Sequence, residues 1–384
     1  MSAHLAASLI GIALILLILR DAFETLVLPQ TVTRRFRLTR LYYVMTWFLW
    51  TRFTSLARGE KRRQAALTIF GPLSLLGLFT VWAMILIFAF ALLQWGFGSH
   101  LDLVRGVAGF GADLYMSGTT FFTLGLGDVT PNSLSARILT VLEAGMGFGF
   151  LALVIGYLPV LYQAFSRREL NISLLDARAG SPPTAEELLR RHSADQAAFE
   201  RLLADWERWA AELMESHLSY PSLAYYRSQH ANQSWLAALS TMLDSSAFAI
   251  ASFDGPVGRQ ARLTFAIARH AVVDLAQIFH TVPRAPEVER LTPEGLARIR
   301  AQLSKFRVPY RTGADVDQKI LELRKLYEPY LHALGDRFWF TVPDWSPSSA
   351  RVDNWRTSAW EKITNAAPGK VRAELELHEG DGEA

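Results

Sequence analysis

The chain has 384 residues, 51% of them apolar and 20% charged, against roughly 25% charged in an average soluble protein. It has no cysteine, which excludes a disulfide scaffold and any cysteine-ligated zinc or iron–sulfur centre. Positive charge is concentrated: residues 1–165 hold 12 basic and 7 acidic side chains and 166–384 hold 27 and 29, so the excess lies in one short stretch of an apolar half and does not point to nucleic acid.

A helix needs about 20 apolar residues to cross a bilayer. The first uncharged run, 5–19, reaches Leu28 if Arg20, Asp21 and Glu24 are admitted, which predicts an N-terminal transmembrane helix within 1–30. Nine basic residues then fall between Arg34 and Arg63: Arg34, Arg35, Arg37, Arg40, Arg52, Arg58, Lys61, Arg62 and Arg63, opposed only by Glu60. The positive-inside rule puts 31–64 in the cytoplasm and the N-terminus outside. Within it 41–53 is too short to cross and carries Trp47 and Trp50, which predicts an amphipathic helix in the inner interface. Arg34–Arg35–x–Arg37–x–x–Arg40 lies outside the long apolar runs; it reads as a solvated segment meeting anionic headgroups rather than a voltage sensor.

The second uncharged run, 65–98, is too long for one straight crossing. Gly71–Pro72 divides it, and proline suits a first helical position, so the spanning helix is expected from about Pro72 to Phe97. The third run, 138–166, has one charge, Glu143. Between them 107–122 is apolar but too short to cross, and leads into Thr123–Leu124–Gly125–Leu126–Gly127–Asp128. Non-helical backbone at membrane depth is tolerated only where it lines water or is buried in protein. Gly125 and Gly127 accept positive φ, which lets successive carbonyls face one way, and a ring of such loops can replace an ion's water shell.

This stretch resembles the potassium-channel pore family, whose filter signature T-x-x-T-V-G-Y-G-D is similar to Thr120–Phe121–Phe122–Thr123–Leu124–Gly125–Leu126–Gly127–Asp128. The resemblance covers roughly 72–165. It implies that Thr123 coordinates the innermost ion with carbonyl and hydroxyl, and that the carbonyls of Leu124, Gly125 and Leu126 form the outer sites. It places Asp128 at the external mouth, and Thr119 and Thr120 at the end of a pore helix whose C-terminal dipole faces the cation. Leu126 stands where the family has a central tyrosine, and Tyr115 and Met116 where it has pore-helix tryptophans; these departures bear on how strictly potassium is chosen over sodium.

The resemblance also implies a hinge in the inner helix near Gly147. That glycine lies within Gly145–x–Gly147–x–Gly149, where a hinge and close packing through small residues are equally good reasons. Pro159 supplies a second expected bend. Glu143 is one turn from Gly147; a carboxylate at this depth marks a functional position, either facing the cavity or, as favoured here, hydrogen-bonding behind the filter.

Beyond the membrane, Thr184-x-x-Glu187 reads as a capping box opening a helical pattern to about Ser219. Further helices are expected over 221–252, 257–281, 293–306 (capped by Thr292) and 315–335. Alternating strands and a G-x-G-x-x-G turn, which a dinucleotide domain needs, are not in the sequence. His270, Asp274 and His280 do not have ligand spacing and read as ordinary surface or core residues.

The expected fold is an all-α membrane protein: three transmembrane helices with a re-entrant pore helix and filter loop, plus an α-helical cytoplasmic domain. Its parts are 1–30, 31–64, a pore domain at 65–166, a cytoplasmic regulatory domain at 167–371 and a disordered tail at 372–384. The expected function is a passive, potassium-selective channel in the plasma or inner membrane, without enzymatic activity, cofactor or metal beyond permeant potassium. One filter loop per chain implies a homotetramer. Rival readings are a weakly selective monovalent cation channel and a membrane-anchored helical signalling module.

Overall fold

A computed structural model describes residues 2–28, 37–56, 59–104, 109–229, 232–286, 288–305 and 309–347. Arg34, Arg35, Arg58 and the expected disordered tail 372–384 lie outside the described residues. The chain divides into two compact units, one of Met1–Phe165 with His217–Arg227 and one of Ser166–Ser216 with Ser228–Ala384. It is an all-α membrane protein, and among the described residues three helices are long and apolar enough to cross, Ser2–Leu26, Arg62–Gly96 and Leu134–Ala179.

In the first unit α1 (Ser2–Leu26) packs along α3 (Glu60–Gly96). The two run antiparallel: His4 Nδ1 lies 2.9 Å from the Trp95 carbonyl at one end, and Trp82 donates to Asp21 at 3.1 Å towards the other. Asp21, 4% exposed, also accepts the Thr39 N–H at 3.1 Å and its hydroxyl at 2.6 Å. Thr39 sits in the first turn of α2 (Leu38–Ser55), where backbone N–H groups lack intrahelical partners. A carboxylate at the end of a membrane span is therefore used to cap the next helix, and Arg37 adds bonds to the Glu24 carbonyl and Thr25 hydroxyl at 3.0 and 3.2 Å.

The sequence predicts a break in α3 at Gly71–Pro72, and the helix instead runs unbroken for 37 residues. Proline removes only the N–H that would bond the Thr68 carbonyl, and the helix continues past that single loss; just beyond it the Ser74 hydroxyl donates to the Gly71 carbonyl at 2.9 Å and Tyr42 to the Ser74 carbonyl at 2.8 Å. At about 1.5 Å per residue such a helix exceeds the hydrocarbon thickness. After α3 a short strand β1 (Leu101–Leu103) leads to α4 (Phe110–Phe121), and β2 (Val129–Pro131) pairs antiparallel with β1, Leu101 opposite Pro131. Helix α5 (Leu134–Ala179) is longer than the expected 138–166 and continuous through Gly147 and Pro159.

The second unit is helical: α6 (Ala185–His192), α7 (Gln196–Ser219, entering the first unit at His217), α8 (Trp235–Ser252), α9 (Gly255–Ile278), α10 (Pro293–Lys305), α11 (Ala314–Lys325) and α12 (Glu328–Phe338). Three of the expected helices divide. Thr184 caps α6 as predicted, accepting the Glu187 N–H at 3.3 Å, but Asp195 then accepts the Ala198 N–H and starts α7 afresh. The 221–252 stretch is a single 3-10 turn, Pro221–Tyr225, followed by a helix that begins only where Ser234 accepts the Ala237 N–H at 3.0 Å. Pro329 at the start of α12 separates it from α11. Every residue of α8 is buried, which makes it the axis of this unit. Around it Arg290 donates to Asp244 at 2.5 Å, Ser240 at 2.6 Å, Glu328 at 3.1 Å and the Pro343 carbonyl at 2.7 Å. His270 meets Asp274 at 3.1 Å as a pair on α9, the His270 side chain mostly exposed.

Candidate functional site

The site is built on α4, whose twelve residues end at Phe121. Its C-terminus is closed by the loop that follows: the Leu124 N–H donates to the Thr119 carbonyl at 2.7 Å and the Thr123 N–H to the Thr120 carbonyl at 2.9 Å. This is the paired pattern that needs a left-handed residue just past the helix, and Thr123 takes it with φ +58°. Thr119 and Thr120 therefore form the last turn, and their carbonyls are already engaged by the loop.

The loop continues in the same alternation. Gly125 has φ +54° and Gly127 φ +80°, whereas Leu124 and Leu126 between them do not have positive φ. Left-handed backbone costs a side chain 1–2 kcal/mol, so two of the three positions being glycine is what the geometry requires, and Thr123 is held by the helix end. Phe122 through Asp128 are all exposed within one chain, Leu124 by 61% and Leu126 by 63%.

Three ties fix the loop. Tyr115 of α4 donates its phenol to Asp128 Oδ2 at 2.9 Å. The Val104 N–H donates to the Asp128 carbonyl at 3.0 Å, and the β1–β2 ribbon then carries the chain away. At the N-terminal end of α4, Ser99 donates to the buried Asp113 at 2.6 Å.

Behind the loop, the Ser117 hydroxyl of α4 lies 2.7 Å from the Ile87 carbonyl of α3 and donates to Glu143 Oε1 of α5. Ser117 and Glu143 are both fully buried. Glu143 Oε2 meets no donor among the described residues. Glu143 thus meets α4 through Ser117 within the chain. One turn on, a Cβ at Gly147 would lie 2.1 Å from the Phe121 carbonyl, while one at Gly145 or Gly149 would meet nothing within the chain. Gly147 is thus where α5 passes under the end of α4. Gln94 of α3 adds a 3.3 Å bond to the Ala136 carbonyl of α5.

The structure brings Thr119, Thr120, Thr123–Asp128, Glu143 and Gly147 into one region. Pro159 lies apart, farther down α5, between Tyr157 and Phe165, whose rings pack on Tyr220 and Tyr226 at 5.6 Å each. Sequence reasoning passes over Ser117 and the Phe121 carbonyl, and notes Tyr115 only as standing where the family has a tryptophan. Ser117 has a visible signal, a hydroxyl among apolar neighbours in a segment at membrane depth; Phe121 has none, because its part is played by backbone.

No curated protein and no solved structure matches the chain. Residues 76–163, which run from α3 through the loop to α5, match a family model described as "Ion channel", so the chain carries a region similar to ion channels on its membrane-crossing helices.

Proposed function

We propose that this protein is a passive, potassium-selective channel, four copies of which place the Thr123–Asp128 loops around one axis. The observation that carries this is the alternation of backbone handedness at Thr123, Gly125 and Gly127 in a loop whose side chains are exposed in a single chain. Alternation of this kind turns successive carbonyls to one side of the strand, and irregular backbone at membrane depth needs water or other protein beside it. Apolar side chains exposed along α5, among them Ile138, Val141, Leu142, Phe148 and Leu151, support the association of copies through this helix. The site residues keep their expected roles: Thr123, Leu124, Gly125 and Leu126 as oxygen donors, Asp128 at the mouth, Gly147 and Pro159 in the moving helix. Glu143 acts from behind the pore helix rather than on the ion.

The antiparallel course of α1 and α3 is consistent with an external N-terminus and a cytoplasmic basic segment in the cell membrane. Helix α2 lies in the inner interface, with Leu41, Val44, Met45, Phe48, Leu49, Phe53 and Leu56 exposed along one side, and anionic lipid meets Arg40 and Arg52.

The test is potassium efflux from proteoliposomes, wild type against Gly125→Ala. Efflux in the first and none in the second is expected; no efflux from the wild type under any voltage, pH or calcium condition sinks the proposal in favour of a non-conducting anchor. Leu126 in place of a tyrosine supports the second reading, weak selectivity, and a reversal potential near zero in opposed potassium and sodium gradients would establish it.

A further inference from the structure

The chain leaves the second unit after Ser216 and re-enters it at Ser228; between them His217–Arg227 belongs to the membrane unit. This excursion is short, and three of its residues, Tyr220, Tyr225 and Tyr226, make ring contacts. Tyr225 is 4% exposed and lies between three rings: it stacks on Tyr43 of α2 at 5.2 Å with 16° between planes, and meets Trp47 of α2 at 5.2 Å and Phe70 of α3 at 5.3 Å. Tyr226 covers Gly71 of α3 so closely that a Cβ there would lie 2.8 Å from its ring. Arg227 donates to Gln64 of α3 at 3.1 Å. On the other side Tyr220 meets Tyr157 and Tyr226 meets Phe165, both on α5, one before and one after Pro159. Leu223 and Ala224 are fully buried, so the segment is seated rather than draped.

One element thus touches the interfacial helix, the outer helix and the inner helix at once. Helix α5 also meets α3 through Phe79, whose ring lies 6.1 Å from Tyr157 and 6.4 Å from Phe150, and its proline is a position where a helix bends at low cost. A clamp on both sides of that proline controls whether it does.

We propose that His217–Arg227 is a gating strap: it fastens the inner helix on either side of Pro159 to α2 and α3, and passes displacement of the second unit to the pore. The proposal rests on the channel reading above. It explains why an exposed loop position is not used to join α7 and α8, and why three tyrosines, Tyr220, Tyr225 and Tyr226, cluster over 220–226. The strap sets how often the pore opens and leaves the filter alone.

The absence of cysteine makes the test direct. Tyr157→Cys and Tyr220→Cys, introduced together, are bridged with a short bis-methanethiosulfonate reagent, and single channels are recorded in planar bilayers. The expected result, relative to the same double variant before bridging, is a change in open probability of about fivefold or more, the scale of a locked aromatic contact, reversed by reductant and not produced when the reagent is added to either single cysteine. Reversal potential and unitary conductance stay as in the wild type. A bridge that forms without altering gating overturns the strap, and so does failure of the pair to bridge. Tyr225→Ala, judged by the same recordings, gives a second reading that needs no reagent; wild-type gating in it also overturns the strap. A wild type that conducts nothing fails the channel reading instead, a result the bridging yield does not affect.

Discussion

Tyr115 and Asp128 are thirteen residues apart in the chain, and the phenol of one donates to the carboxylate of the other at 2.9 Å beside the exposed Thr123–Asp128 loop. Tyr115 lies on α4 and Asp128 at the start of the ribbon strand pairing, so this bond holds the loop's exit against the helix that begins it. The same Asp128 accepts the Val104 N–H through its carbonyl, which ties the exit to the end of β1 as well. Where the potassium-channel pore family has aromatic braces at its central filter position and in its pore helix, this chain has Leu126 and a single phenol.

Removing that phenol therefore leaves the exit held by backbone alone. Tyr115→Phe is expected to lower the ratio of potassium to sodium permeability while the protein still assembles and conducts. Reversal potentials under bi-ionic conditions check it, and an unchanged ratio would mean that the ribbon suffices.

The Ser117–Glu143 contact predicts coupling between two helices. Each side chain is buried, and removing one strands the other in an apolar setting, at about 1–3 kcal/mol. Ser117→Ala and Glu143→Ala should each destabilise the assembled protein in detergent by that amount, and the double variant by clearly less than the sum of the two. Thermal unfolding of the three proteins is the measurement. Additive losses would show that the two groups act separately.

Gly147 distinguishes packing from bending. Alanine is favoured over glycine in a helix by roughly 1 kcal/mol, so Gly145→Ala and Gly149→Ala, which meet nothing within the chain, should be tolerated or slightly stabilising. Gly147→Ala drives a methyl group into the Phe121 carbonyl; either α4 shifts or α5 moves away, and potassium efflux is expected to be lost. Wild-type efflux in Gly147→Ala would leave the hinge as the sole reason for this glycine.

The parts legible in the sequence are those with a one-dimensional signature. Three apolar runs gave three spans, the Thr–Gly–Gly–Asp spacing gave the loop, and Thr184 and Thr292 gave helix starts. What stayed hidden depends on partners distant in the chain. Pro72 reads as a break, but it costs α3 only its own N–H bond, and the packing of α3 on α1 and α4 that outweighs this loss is not visible locally. Asp21 reads as a tolerated charge until Thr39 is seen to need a cap. The 221–252 stretch has helical periodicity, yet Tyr225 is drawn into a ring cluster with Tyr43, Trp47 and Phe70, and burial of that ring outweighs a few residues of helix.

The interfacial placement of α2 has a direct test. Its inward side chains, Tyr43, Trp47, Thr51 and Thr54, are buried, and Phe48 and Phe53 are exposed by 56% and 70% on the other side. A nitroxide at Phe48→Cys, the only thiol in the chain, is expected to be more accessible to oxygen than to a water-soluble nickel chelate when the protein is in anionic vesicles. The reverse order of accessibility would place α2 in water and remove the lipid from the proposal.

The buried charges of the second unit give the last prediction. Burial pushes the Asp244 carboxyl up to about 6, and the Arg290 guanidinium beside it is the main influence holding it down. Arg290→Met leaves Asp244 and Glu328 facing each other without that guanidinium, and breaking a buried pair in this way costs about 3–5 kcal/mol. The loss depends on pH with a definite sign. A carboxyl whose folded pKa is raised binds its proton more tightly in the folded state, so stability falls as pH rises from its unfolded value of about 4 through its folded value. In the variant the folded value climbs further, and the deficit relative to wild type should therefore be smaller at acid pH than at pH 8. Thermal melts of the full-length protein at both pH values decide it: a deficit equal at the two, or larger in acid, would show that Arg290 is held for its bonds to the Pro343 carbonyl and Ser240 rather than for its charge.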